Sequence, residues 1–96
     1  MMVFEWDEAK RRLNIKKHGI DFEDVAEAFD SPMLSGLDTR EDYGEERWIG
    51  IGLMRNVVVA IAFTERGSDR IRIISARKAT KYERENFNKE IKDKLG

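Results

Sequence analysis

Residues 57–64 read Val-Val-Val-Ala-Ile-Ala-Phe-Thr, apolar at both odd and even positions. A strand alternates its side chains between two faces, so such a run is stable only where both faces are covered. This segment therefore predicts a central strand, with a neighbour on each side and something packed above and below. The neighbours follow from spacing. Residues 47–54 alternate, with Arg47, Ile49, Ile51 and Leu53 on one side and Trp48, Gly50, Gly52 and Met54 on the other. Arg55-Asn56 is a two-residue hairpin loop, and asparagine tolerates the positive φ that such loops need. Arg66-Gly-Ser-Asp69 is a second turn, and residues 70–77 form the next strand.

The covering elements come from the two ends. Residues 3–6 form a short edge strand. Asp7 is an N-cap, Glu8 favours the positive end of the helix that follows, and Gly19 ends that helix as a C′ residue. Its apolar stripe is thin: Ala9, Leu13, then Ile20. Asp21 caps a second helix whose Phe22, Val25, Ala26 and Phe29 share one face. Asp30-Ser-Pro32 stops it. Residues 33–37 make a further short strand and residues 38–46 a mobile loop. Thr80-Lys-Tyr-Glu83 is a capping box opening a last helix with a narrow seam of Phe87, Ile91 and Leu95. The expected fold is α+β: two N-terminal helices, an antiparallel meander and a C-terminal helix. Gly50, Gly52, Ala60 and Ala62 are expected to share a sheet face that the first two helices approach. The 96 residues fit a single domain, 1–96.

Composition removes several function classes. There is no cysteine, hence no disulfide framework, and the one histidine, His18, argues against a histidine-based metal site. No metal or cofactor is expected. No apolar run is long enough for a bilayer and the start lacks a basic leader, which predicts a cytoplasmic protein without membrane contact. Charged residues make up 39% of the chain, yet the net charge is only −1. That average hides a segregation. Five bases and no acid lie between Lys10 and Lys17. Ten acids and one base, Arg40, lie between Asp21 and Glu46. Seven bases and two acids lie between Arg66 and Arg84. Screening confines fields to about 8 Å at physiological salt, so a basic face can meet a polyanion while an acidic face serves another partner. Arg70, Arg72 and Arg77 dominate the last basic stretch. A guanidinium fits phosphate oxygens in pairs, so RNA phosphate is the expected counterpart. The alternative is a solvated strand face paired with the acids of residues 38–46.

Four blocks, taken together and in order, are similar to one family. They are Phe4-Glu-Trp-Asp-Glu-Ala-Lys10, Lys17-His-Gly-Ile-Asp-Phe22, Glu46-Arg-Trp-Ile-Gly-Ile-Gly52, and Thr64-Glu-Arg-Gly continuing through Arg70-Ile-Arg-Ile-Ile-Ser-Ala-Arg-Lys-Ala79. The chain resembles the BrnT toxins of bacterial type II toxin–antitoxin pairs. The resemblance implies a RelE-like fold, ribonuclease activity that inhibits translation, and neutralisation by BrnA, a ribbon-helix-helix antitoxin. It also implies a toxin–antitoxin heterotetramer that contacts operator DNA through the antitoxin. Lys78 stands where arginine is common in the family, and Lys81-Tyr82 where the family is richer in arginine.

Metal-independent RNA cleavage needs a base for the 2′-hydroxyl, a cation for the phosphorane and an acid for the 5′-oxygen. Arg77, assisted by Arg72, is assigned the charge-stabilising role, and Glu65 is a candidate base that could equally be a salt-bridge partner. His18 has the side-chain chemistry best suited to acid–base work, or else caps its helix end. Tyr82 could also serve, or pack. Arg66, Arg70, Lys78, Lys81 and Tyr82 are the expected RNA contacts. Strict alternation sets Arg77 on the face opposite Arg70 and Arg72, so a bulge or the strand's end must re-aim it if all three serve one site. The competing function is a non-catalytic module that binds RNA or an antitoxin without turnover.

Overall fold

The computed structural model describes residues 2–95, and of the last helix the side chains up to Ile91. Its elements are β1 (Val3–Glu5), α1 (Glu8–His18), α2 (Phe22–Val25) continued by a 3-10 turn (Ala26–Asp30), β2 (Leu34–Leu37), β3 (Trp48–Met54), β4 (Val57–Arg66), β5 (Arg70–Lys78) and α3 (Lys81–Leu95). One five-stranded sheet has the order β1-β5-β4-β3-β2. The expected central strand, β4, lies in the middle of that order, and residues Val58–Thr64 are all buried. The meander is antiparallel, but β1 joins it parallel to β5, through Val3, Phe4 and Glu5 beside Arg70, Ile71 and Arg72.

Local chemistry sets the element ends. The Asp7 carboxylate accepts from the backbone N–H groups of Ala9 and Lys10, and Gly19 closes α1 at φ 70°. Arg55 and Asn56 take φ of 48° and 66°, both positive, as the tight β3–β4 hairpin requires. Thr80 and Glu83 exchange the reciprocal capping-box bonds, at 2.8 and 3.2 Å.

The second helix is shorter than expected. After Val25 the chain tightens to a 3-10 turn, and the buried positions become Phe22, Val25 and Ala28, a spacing of three. Ala28 thus takes the place expected for Ala26. Phe29 packs edge-on against Phe63, with ring centroids 5.1 Å apart. These residues, with Ile20, Val59, Ile61, Ile71, Ile73 and Ala76, make the main core on one sheet face. A smaller cluster of Phe87, Val58 and Ala79, with Ile51, Leu34 and Ile91 against it, docks α3 on the other face. Of the seam expected on α3, Leu95 lies outside the described side chains.

The small residues do not share a face. Gly50 pairs with Ile61 and Gly52 with Val59, whereas Ala60 pairs with Ile51 and Ala62 with Ile49. Partners of opposite parity lie on the same face, so the even-numbered glycines and even-numbered alanines are on opposite sides. The glycine face is the one approached closely: a methyl at Gly52 would lie 3.3 Å from Cβ of Ala28 and 3.5 Å from its carbonyl oxygen. The alanine face is left partly open.

Candidate functional site

Strand β5 carries a bulge. Ala62 pairs with Ser75 and Phe63 with Ile73, so Ile74 is an extra residue with no partner on β4. Beyond it the alternation is reset. Arg72 lies opposite Thr64, Ser75 opposite Ala62 and Arg77 opposite Ala60, all on one sheet face. The re-aiming that strict alternation demanded therefore occurs, and Arg77 shares a face with Arg70 and Arg72. Four residue steps of β4, from Thr64 to Ala60, still separate Arg72 from Arg77, about 13 Å along the strand.

That distance divides the arginines. Arg72 donates to Glu5 at 3.0 Å, and Arg70 lies 3.5 Å from the same carboxylate. Both are held at the β1 end of the sheet. Arg77 forms a two-pronged pair with Glu83, at 2.8 and 3.1 Å. It also lines a hollow of about 90 Å³ together with His18, Arg40, Ile49, Ala60, Ala62 and Ser75. The short alanine side chains leave the space, α1 delivers His18 from its C-terminal end, and the loop before β3 delivers Arg40.

The loop of residues 38–46, expected to be mobile, is organised at its base. Asp38 is buried, accepts from Arg40 Nε and Nη2 at 2.8 Å each, and accepts from the Tyr43 hydroxyl at 3.1 Å. The Arg47 guanidinium stacks 3.8 Å from the centre of the Tyr43 ring. Asp38 occupies one edge of the Arg40 guanidinium and leaves Nη1 without a carboxylate partner among the described residues.

Both arginines of the hollow stay ionised. Hydrogen bonding to Glu83 holds Arg77 above the ordinary guanidinium value, against burial and the like charge of Arg40. The Arg77 hydrogen bonds bring the Glu83 carboxyl down to about 2, although burial opposes them. Arg40 in turn holds Asp38 well below the carboxylate range. Two fixed cations, an imidazole and the Ser75 hydroxyl thus border one small concavity.

The other expected residues lie elsewhere. Glu65 pairs with Ile71 on the core-side face and lines a separate hollow with Phe29, Met33 and Phe63. It is not brought together with Arg77 or Arg72. Arg66, an expected RNA contact, faces Glu45 of the acidic loop at 3.5 Å, the pairing weighed for Arg70, Arg72 and Arg77, which instead pair with Glu5 and Glu83. Lys81 pairs with Glu85 at 3.9 Å along its helix, Lys78 is exposed, and Tyr82 is 78% exposed and unpacked. Arg40 had a signal in the sequence, as the lone base in an acidic stretch. Ser75 had none. Among the described residues there is no cluster of three metal-ligating side chains. Among the described residues no helix is long and apolar enough to cross a membrane.

A family model described as the ribonuclease toxin BrnT of type II toxin–antitoxin systems matches residues 6–83. The chain belongs to the BrnT family. It is similar to the Brucella abortus ribonuclease toxin BrnT, known from a crystal structure at 1.1 Å, with 34% identity and a TM-score of 0.65. The match covers 84% of this chain and all of that one. No curated protein matches. The fold is accordingly the RelE-like α+β fold of BrnT proteins, and the chain is a ribonuclease toxin of a type II toxin–antitoxin system. A cognate antitoxin and an RNA substrate come with that family.

Proposed function

We propose that this toxin cleaves RNA, without metal, in the hollow bordered by His18, Arg40 and Arg77. One observation carries the reading: the bulge at Ile74 turns Arg77 toward the face where an imidazole and a second guanidinium meet it. His18 takes the proton from a ribose 2′-hydroxyl, and the oxygen attacks the adjacent phosphorus. Arg77 and the free Nη1 of Arg40 hold the negative charge that accumulates on the pentacoordinate phosphorane. The 5′-oxygen then leaves and takes a proton from solvent water, His18 returns its proton to solvent, and the upstream strand ends in a 2′,3′-cyclic phosphate. Glu83 and Asp38 set the direction of the two guanidinium planes. Arg72 and Glu65, expected beside Arg77, have no part in this step.

Cleavage of messenger RNA would inhibit translation. The partner is a BrnA-like ribbon-helix-helix antitoxin that neutralises the toxin in a heterotetramer and carries the contact with operator DNA. Membership of the BrnT family supports this reading.

Purified protein should cleave RNA in EDTA. Arg77→Ala should lower the rate about 100-fold or more with the fold intact, as for loss of one transition-state donor. His18→Ala should also lower the rate about 100-fold or more, as for loss of a positioned base. Saturable RNA binding with no turnover by the wild type would favour the non-catalytic module, and full activity in Arg77→Ala would remove the hollow from the chemistry.

A further inference from the structure

The cations of α1 divide into two kinds. Arg11 pairs with Glu8 and with Asp21, at 2.8 and 2.9 Å from the latter, and Arg12 lies 4.0 Å from Glu8. These tie the helix to itself and to the start of α2. Lys10 and Lys17 have no carboxylate within 4.0 Å among the described residues, and lie two turns apart on the stripe that faces the open edge of β5.

The edge is open because β1 ends at Glu5, level with Arg72. Beyond it, Asn14 of α1 stands in for a neighbouring strand: its amide accepts from the Ala76 N–H at 3.0 Å and donates to the Ala76 carbonyl at 2.9 Å. Between Asn14 and the bulge is a second hollow of about 230 Å³, with Lys10 and Lys17 on its rim and Leu13 and Ile74 on its walls. His18 and Ser75 line both this hollow and the one at Arg77, so the two are adjacent. Leu13 is 59% exposed, an apolar surface left uncovered beside two unpaired cations.

We infer that this second hollow seats the nucleotide adjoining the scissile phosphate, its base against Leu13 and Ile74 and its phosphate between Lys10 and Lys17. The inference rests on the cleavage reading of the Arg77 hollow. Apolar walls with a few placed charges suit a flat base joined to an anion. The bulge then has two effects, since the residue that resets Arg77 also supplies a wall for the neighbouring base. An acidic segment of the antitoxin is the competing occupant.

The test uses the full chain and a single-stranded RNA-like oligonucleotide with 2′-O-methyl groups throughout, which binds without being cut. Binding is followed between 50 and 200 mM salt (roughly the range over which phosphate contacts are titrated). The double variant Lys10→Ala/Lys17→Ala should bind about tenfold more weakly at low salt. Its log–log salt slope should fall by about 0.7 to 1.4, as when one or two phosphates are no longer neutralised. Arg12→Ala/Lys16→Ala removes the same charge from the same helix and should change neither by more than about twofold. Leu13→Ser should weaken binding with the salt slope kept. On cleavable RNA, Lys10→Ala/Lys17→Ala should raise KM and leave kcat nearly unchanged.

Equal losses in the two double variants would mean diffuse attraction and would overturn the subsite. So would unchanged RNA binding with lost capture of the co-expressed antitoxin. Wild-type cleavage with unaltered kinetics in Lys10→Ala/Lys17→Ala would sink the subsite and leave the nuclease reading standing. A wild type that neither binds nor cuts would sink both.

Discussion

The two halves of β5 carry arginines in different company. Before the bulge, Arg70 and Arg72 share Glu5 of the neighbouring strand, at the end of the sheet. After it, Arg77 faces a concavity with His18, Ser75 and a second arginine. Residue type and sheet face are the same, and so is the presence of a carboxylate partner. What differs is the surroundings. The first half has a strand alongside, and the second has the end of a helix, a structured loop and a floor of alanines. A cation becomes a candidate for chemistry through the space and the proton-transfer groups beside it, and charge alone does not confer this.

Adding a residue beyond the bulge would break the contrast most severely. Inserting one alanine between Ser75 and Ala76 turns every following residue of β5 over, sending Arg77 toward the core and Ala76 toward solvent. The expected cost is about 3 kcal/mol or more, from an unpaired buried charge and poorer core packing, read as a collapse of the thermal midpoint. Next comes the helix that replaces the missing strand. Asn14→Ala leaves the Ala76 N–H and carbonyl without their partner, together with the Ile20 carbonyl. It should cost about 1–3 kcal/mol in denaturant unfolding.

A smaller effect is expected from acid. The Glu83 carboxyl is depressed to about 2 from its ordinary 4.5, so its stabilisation is complete above about pH 4.5 and fades as pH falls toward 2. The Arg77 side chain is 42% exposed, so solvent screening limits the contribution to about 1 kcal/mol. Glu83→Gln should lose most of that at pH 7 and make stability less dependent on pH below 4.5, as midpoints measured at pH 7 and pH 3 would show. The least effect belongs to the other half of the strand. Arg72→Ala should cost about 0.5 kcal/mol and leave the cleavage rate within about threefold. A loss comparable to that of Arg77→Ala would mean the two halves form one site after all.

Much of this organisation was readable in the chain. The N-cap at Asp7, the stop at Gly19, the Arg55-Asn56 turn and the Thr80–Glu83 box depend on residues within a few positions of one another, and each formed as expected. The bulge left a trace that alternation alone passes over. Apolar positions in β5 run 71 and 73, then 74 and 76, a change of parity within one strand. Asn14 was less legible. An asparagine between Leu13 and Ile15 looks like an interruption, yet it is buried where Leu13 is not, because its amide can complete a strand edge. Arg40 depended on the buried Asp38 to aim it, and burial of a carboxylate cannot be read from a run of acids.

The chain alone determined most of the elements, the ends that local caps and turns set, and the double-sided apolar strand around which a sheet had to form. It also carried the family pattern, across residues 6–83. Folding in three dimensions decided which arginine met which neighbour. Those meetings join residues as distant as Glu5 and Arg72, or Asn14 and Ala76, and they turn on a register that one extra residue reverses. Pairing across the sheet is set by the packing of both faces together, a balance that no local stretch of sequence contains.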